Sequence, residues 1–205
     1  MSAEPLPGLL HRPLSDVLSA LASQHELAGG GGPAAALTAA AAAALTAKAA
    51  RGSRATWIEA GGAIAHAESL RMQAQALIER DAEAYREASA VLIQSERSAR
   101  QGVAGPALVA PAPGDRERIV GEAADLALAI ADVSSQIAQL AAEVARSCPP
   151  SLRPDALTAV ALAEAATCAA AQLVEVNRQL SADDPRRAAS CEAADAASRA
   201  RERSL

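Results

Sequence analysis

Four consecutive glycines and a proline, Gly29, Gly30, Gly31, Gly32 and Pro33, run directly into an apolar stretch from Ala34 to Ala50. Glycine lets main-chain N–H groups turn toward a ligand, and proline suits the first position of a helix, where no N–H partner is needed. A helix start adds unpaired donors and the positive end of a dipole. The run therefore has the makings of a docking point for an anionic or carbonyl-bearing small molecule. The same residues also read as a flexible linker before an ordinary helix.

Other chemistry is sparse. His11, His25 and His66 are scattered, and none stands one helical turn from another, so no metal site is expected. Cys148, Cys168 and Cys191 are odd in number and widely spaced, which fits neither a disulfide framework nor a zinc site. They are expected to be reduced thiols. A net charge of -5 and a pI near 5.3 argue against a nucleic-acid-binding protein, which needs concentrated Lys and Arg.

The elements that must position any site are helical. Trp57 and Tyr85 are the only aromatic residues and Phe is absent, while 51% of the 205 residues are hydrophobic. A core of Ala, Leu, Ile and Val follows, and Ala favours helices over strands. The length suits one domain, a bundle of long Ala-rich helices. Small side chains bury little area apiece, so such a bundle gains by burying more surface in a homodimer.

Along the chain, Pro13, Ser15 and Asp16 start a short helix carrying Val17, Leu18 and Leu21. A second helix is expected from Pro33 to about Arg51, and a third from about Trp57 to Ser98, weakened near Gly61 and Gly62. Gln101 to Gly114, rich in Gly and Pro, reads as a loop. Asp115 caps a fourth helix reaching about Arg146, Cys148 to Pro154 connects, and Asp155 starts a fifth helix closing near Leu180. Residues 185–205 read as a polar tail, either a solvated helix or a frayed end. Met1-Ser2-Ala3-Glu4 carries no signal-peptide pattern, and Ala34–Ala50 is slightly short for a membrane span and holds Lys48. A soluble, cytoplasmic protein with no membrane partner is expected.

Several segments together resemble one family. The order Leu21-Ala22-Ser23, the glycine run, the Ala-rich helix and then Leu77-Ile78-Glu79-Arg80-Asp81-Ala82-Glu83-Ala84-Tyr85 looks like the cyclodeaminase and cyclohydrolase family of folate enzymes. Arg118-Ile119, Ile130, Leu140, Asp155 and Val174-Glu175-Val176-Asn177 continue it, so the resemblance covers residues 14–184. It implies an all-helical homodimer acting on a tetrahydrofolate derivative as substrate. Two reactions are implied: hydrolysis of 5,10-methenyltetrahydrofolate, or cyclisation of 5-formiminotetrahydrofolate with ammonia release. The absence of a transferase domain in these residues favours the cyclohydrolase slightly.

The resemblance makes Asp81 the candidate proton carrier, since a carboxyl desolvated in an Ala-lined cleft is suited to general acid–base work. Glu83 points away on a helix, and Tyr85, where the family usually has Phe, is expected to pack. Gly29, Gly30, Gly31 and Gly32 would contact the pterin or the folate carboxylates. Lys48 and Arg51, one turn apart, would hold a carboxylate or pair with Asp81. Asp155 and Asn177 would meet polar atoms of the pterin, although helix capping accounts for either as well.

The departures from the family pattern are specific. The serine that ends the usual Pro-Gly-Gly-Gly-Ser loop is missing, and Met-Val-Ala-Asn-Leu-Thr corresponds to Lys48-Ala49-Ala50-Arg51-Gly52-Ser53, with Arg51 replacing Asn. The Gly-Asn and Ser-Asp elements become Cys148-Pro149 and Pro154-Asp155. These changes motivate an alternative reading, a catalytically inactive helical dimer of the same fold that binds a small molecule or a protein partner.

Overall fold

The computed structural model describes residues 8–23, 29–101, 113–176, 181 and 183–205. Among them are six α-helices and no strand: α1 (Leu14–Ala22), α2 (Gly31–Gly52), α3 (Ala60–Gln101), α4 (Pro113–Ser147), α5 (Arg153–Glu175) and α6 (Pro185–Glu202), preceded by a 3-10 turn at Leu9–His11. The loop expected over Gln101–Gly114 lies mostly outside the described residues, as does Asn177.

Helix starts differ from the expected ones by two or three residues, and α5 ends at Glu175, five residues before the expected Leu180. α2 begins at Gly31 rather than Pro33, so Gly31 and Gly32 form its first turn and Pro33 is its third residue. Proline is tolerated there because first-turn N–H groups have no intrahelical partner. α4 begins at Pro113, ahead of Asp115, and α5 at Arg153, ahead of Asp155. Asp155 is therefore not the cap; it lies inside the first turn of α5, where a carboxylate favours the dipole.

The long helices run up and down. The start of α2 meets Asp81 on α3 and Leu173 near the end of α5, while Gly52 at the end of α2 meets Leu152 beside the start of α5. α2 is consequently antiparallel to both α3 and α5 and forms the spine of the bundle. Its Ala36, Ala42, Ala43, Ala47, Ala49 and Ala50 are fully buried. Alanine on so many sides lets neighbouring backbones approach closely from several directions, which a Leu-based stripe would prevent.

Most buried hydroxyls of the core are satisfied locally, whereas Ser134 Oγ on α4 is buried without a hydrogen-bond partner among the described residues. Thr46, Ser53 and Thr167 donate to carbonyls one turn earlier, at 2.9, 2.8 and 2.8 Å. The larger core side chains, Leu70, Ile130, Ile137, Val144, Val160 and Val174, come from α3, α4 and α5.

The C-terminal segment is a helix with one buried face. Ser190, Ala193, Ala197 and Ala200 of α6 pack on α4 and α5. Asp184 caps the helix by accepting from Arg186 N at 3.0 Å, and the Arg186 guanidinium reaches the Gly121 carbonyl at 3.1 Å and Asp125 at 3.0 Å. At the other end Arg201 pairs with Glu164 at 2.6 Å.

Two helices, α2 and α5, are long and apolar enough to cross a bilayer by length and composition, one more than Ala34–Ala50 alone suggested. They pack against each other, and 61% of the α2 apolar window is buried within the bundle.

Candidate functional site

The site is built where α3 passes the beginning of α2. Gly29 has φ +76°, a left-handed conformation that other residues adopt at a cost, and it turns the chain into α2. Gly30 is the N-cap and offers no capping side chain, so the first N–H groups of α2 have no side-chain partner. Gly32 is buried against Asp81: a Cβ at residue 32 would stand 2.5 Å from Asp81 Cγ and Oδ1. At Gly29 the same atom would be 3.7 Å from Asp81 Oδ2. Glycine is what allows a carboxylate to sit against this helix start.

Asp81 is half-buried, and desolvation pushes its carboxyl above the ordinary carboxylate range. The positive end of α2 acts in the opposite sense. Burial beside uncapped N–H groups gives a carboxyl that takes up a proton more readily than an exposed one and donors able to hold an anion or carbonyl next to it. Val174 and Leu173, with Ala124 and Ala127 of α4, form a small apolar cluster at this same end of the bundle.

Asp81's neighbours on α3 divide by face. Glu79 accepts from Leu10 N at 2.7 Å and so ties the N-terminal 3-10 turn to α3. Glu83 is exposed, as expected. Tyr85, expected to pack, is 48% exposed, lying one turn beyond Asp81 and so beyond the start of α2. Arg80 faces a cleft of about 310 Å³ lined also by Arg118, Gly121, Glu122, Asp125, Leu126 and Ala129. Neither arginine was singled out from the sequence as a site residue. The available signal was that Arg80 and Arg118 both fall within the segments that carry the family resemblance.

The remaining candidates lie elsewhere. Lys48 pairs with Asp155 at 2.7 Å, and Arg51 pairs with Glu68, which also holds Arg71 at 2.7 Å. The Arg51 and Arg71 guanidiniums hold the Glu68 carboxyl below its ordinary range. Lys48 is 17 residues along α2 from Gly31, about 25 Å at 1.5 Å per residue. Within one protomer, Lys48, Arg51 and Asp155 thus form the opposite end of the bundle and do not converge on Asp81. The expected pairing of Lys48 or Arg51 with Asp81 is corrected by this register.

Among the described residues no three His, Cys, Asp or Glu side chains gather in one place. Cys148, Cys168 and Cys191 are free, and burial pushes the Cys148 and Cys168 thiols up, away from reactivity.

Comparison with known proteins agrees with this architecture. The sequence profile described as formiminotransferase-cyclodeaminase matches residues 13–196. Among solved structures, formiminotetrahydrofolate cyclodeaminase from Thermotoga maritima superposes with a TM-score of 0.74 at 18% identity, covering 96% of this chain and 95% of that one. At that identity the likeness is one of fold. No curated protein matches the sequence.

Proposed function

The chain belongs to the formiminotransferase-cyclodeaminase family, and from that premise we propose that it is a folate one-carbon enzyme whose chemistry takes place between Asp81 and the glycine-built first turn of α2. The observation that carries the reading is the half-buried Asp81 carboxyl, raised by desolvation and seated against Gly32.

Both family-type reactions occur at a carbon held between two nitrogens. In cyclohydrolysis of 5,10-methenyltetrahydrofolate, the water oxygen bonds to that carbon and gives a proton to a base. One carbon–nitrogen bond then breaks as its nitrogen gains a proton, leaving a formyl group. In cyclodeamination of 5-formiminotetrahydrofolate, a second folate nitrogen attacks the formimino carbon and loses its proton, and the departing nitrogen takes up protons and leaves as ammonia. Either path needs one group that accepts a proton and returns it within the same site, which is the role given to Asp81. The uncapped N–H groups of Gly31 and Gly32 supply donors for a carbonyl or carboxylate of the ligand.

Both reactions draw on the same proton carrier and the same donors, and the assay below separates them. The enzyme is read as a cytoplasmic homodimer, the small buried side chains of α2 favouring further burial between protomers. Lys48, Arg51 and Asp155 are given no ligand contact within one protomer.

The test is loss of the methenyl chromophore and, separately, ammonia release from 5-formiminotetrahydrofolate, in native protein and Asp81→Asn. Turnover of either substrate that disappears in a folded Asp81→Asn supports the reading. A native protein that turns over neither and shows no calorimetric response to 5-formyltetrahydrofolate sinks it and leaves the inactive binding module.

A further inference from the structure

Resting on the folate reading above, we infer that the cleft between α3 and the first turns of α4 is a second subsite, in which Arg80 and Arg118 receive the carboxylate end of the ligand remote from the reacting carbon.

The charges around the cleft are unevenly matched. Asp125 is already held by Arg186 at 3.0 Å, and Arg186 is in turn bound to Asp184 at 2.8 Å. Glu122 meets Arg118 at 3.5 Å, a loose contact between side chains 45% and 61% exposed, which contributes little. Arg80 has no ion pair or hydrogen bond among the described residues and projects at the same cleft. Among the described side chains Arg80 is thus an unmatched cation, in a protein of net charge -5.

Position and shape point the same way. Arg80 is the residue immediately before Asp81 on α3, so the cleft lies next to the proton carrier around the same helix, rotated by about 100°. Leu126 and Ala129 give one wall an apolar surface against which an aromatic ring can lie, while the guanidiniums offer forked donors that fit a carboxylate. Lys48 and Arg51, the other cations considered for this task, are engaged by Asp155 and Glu68 at the far end of the bundle. A reduced folate has this layout: a polar ring system at one end, an aromatic linker, and a glutamyl carboxylate at the other.

The test uses calorimetry on the full chain with two probes, 5-formyltetrahydrofolate and p-aminobenzoyl-glutamate, and compares native protein with Arg80→Gln, Arg80→Lys and Arg118→Gln. Arg80 is exposed, so the fold is expected to survive, and circular dichroism confirms it for each variant. The expected result is that native protein binds both probes and Arg80→Gln loses the fragment. Arg80→Gln also weakens the whole folate about tenfold, the size of one charge-assisted contact, and its catalytic loss falls on KM rather than kcat. Arg80→Lys recovers part of the affinity. Undiminished folate and fragment binding in Arg80→Gln and Arg118→Gln overturns the subsite while the folate reading stands. A native protein that binds neither probe overturns both.

Discussion

The Asp81 carboxylate fills the space that a side chain at residue 32 would need, with its Cγ and Oδ1 each 2.5 Å from where a Cβ on Gly32 would stand. The two residues are 49 positions apart in sequence and come together only because α2 and α3 return along each other. The glycine at 32 is therefore a steric requirement set by Asp81, whereas Gly30 is not: a Cβ there would meet nothing within 4 Å.

That difference predicts opposite outcomes for two similar substitutions. Gly32→Ala forces the Asp81 carboxylate, the free end of its side chain, off its position at a net cost in stability of about 1 kcal/mol or less, and lowers turnover by roughly tenfold or more as the proton carrier is displaced. Gly30→Ala meets no atom and leaves turnover unchanged, losing only the N-cap preference of Gly over Ala, about 1 kcal/mol or less. Chemical denaturation and steady-state kinetics on the pair check this, and equal effects on turnover from both would remove Asp81 as the cause.

Asp81→Asn is expected to abolish turnover and to stabilise the protein at neutral pH. A carboxyl whose folded pKa is raised above its ordinary 3.8 resists ionisation in the native state, so the native state gives up stability as pH rises through the folded value. Asparagine removes that penalty. The melting temperature of the variant should exceed that of the native chain at pH 7, and the gap should close as pH approaches 3.8. A native protein more stable than Asp81→Asn at pH 7 contradicts this.

Lys48→Ala and Arg51→Ala should leave folate affinity and turnover unchanged. Their partners, Asp155 and Glu68, are partly exposed, and such pairs contribute about 0–1 kcal/mol. Calorimetry with 5-formyltetrahydrofolate decides the point: weakened binding in either variant would bring that end of the bundle into the site.

Asp184→Ala should lower the urea midpoint at pH 7, through loss of the α6 cap and of the pair that steadies Arg186, whose guanidinium ties α6 to Asp125 and the Gly121 carbonyl of α4. The Arg186 side chain and main chain hold the Asp184 carboxyl at about 2, well below 3.8. A depressed value contributes stability that is present above 3.8 and is lost as pH falls toward 2. The difference between native and variant midpoints should therefore shrink across that window, and a difference independent of pH would assign the effect to something other than the carboxylate.

The fold was legible in the residues for a local reason. Alanine-rich segments with Leu, Ile and Val at helical spacing define helices through contacts three and four residues apart, and five of the six helices were readable to within a few residues of their ends. The ends themselves shifted, at Gly31, Pro113 and Arg153, because glycine and proline are tolerated in a first turn whose N–H groups are unpaired. α6 was the least readable helix. Its buried face consists of Ser190 and small alanines among Arg, Asp and Glu, so its hydrophobic contrast is weak until α4 and α5 are in place to cover it.

Part of the site was also within reach of the sequence. Gly31 precedes Gly52 by as many residues as Asp81 follows Ala60, so an antiparallel hairpin of α2 and α3 returns Asp81 to the level of the glycine run. The same count places Lys48 and Arg51 beside the turn between the two helices. By itself, then, the sequence determined that the chain is helical, and resemblance marked Asp81 and the glycines as its chemical residues. Only the tertiary structure decided which charges meet: Asp81 with a bare helix start, Lys48 with Asp155, Arg51 with Glu68, and Arg80 with an open cleft. Helix formation is governed by neighbours along the chain, but pairing between side chains depends on which faces are buried together, and burial is a property of the packed bundle.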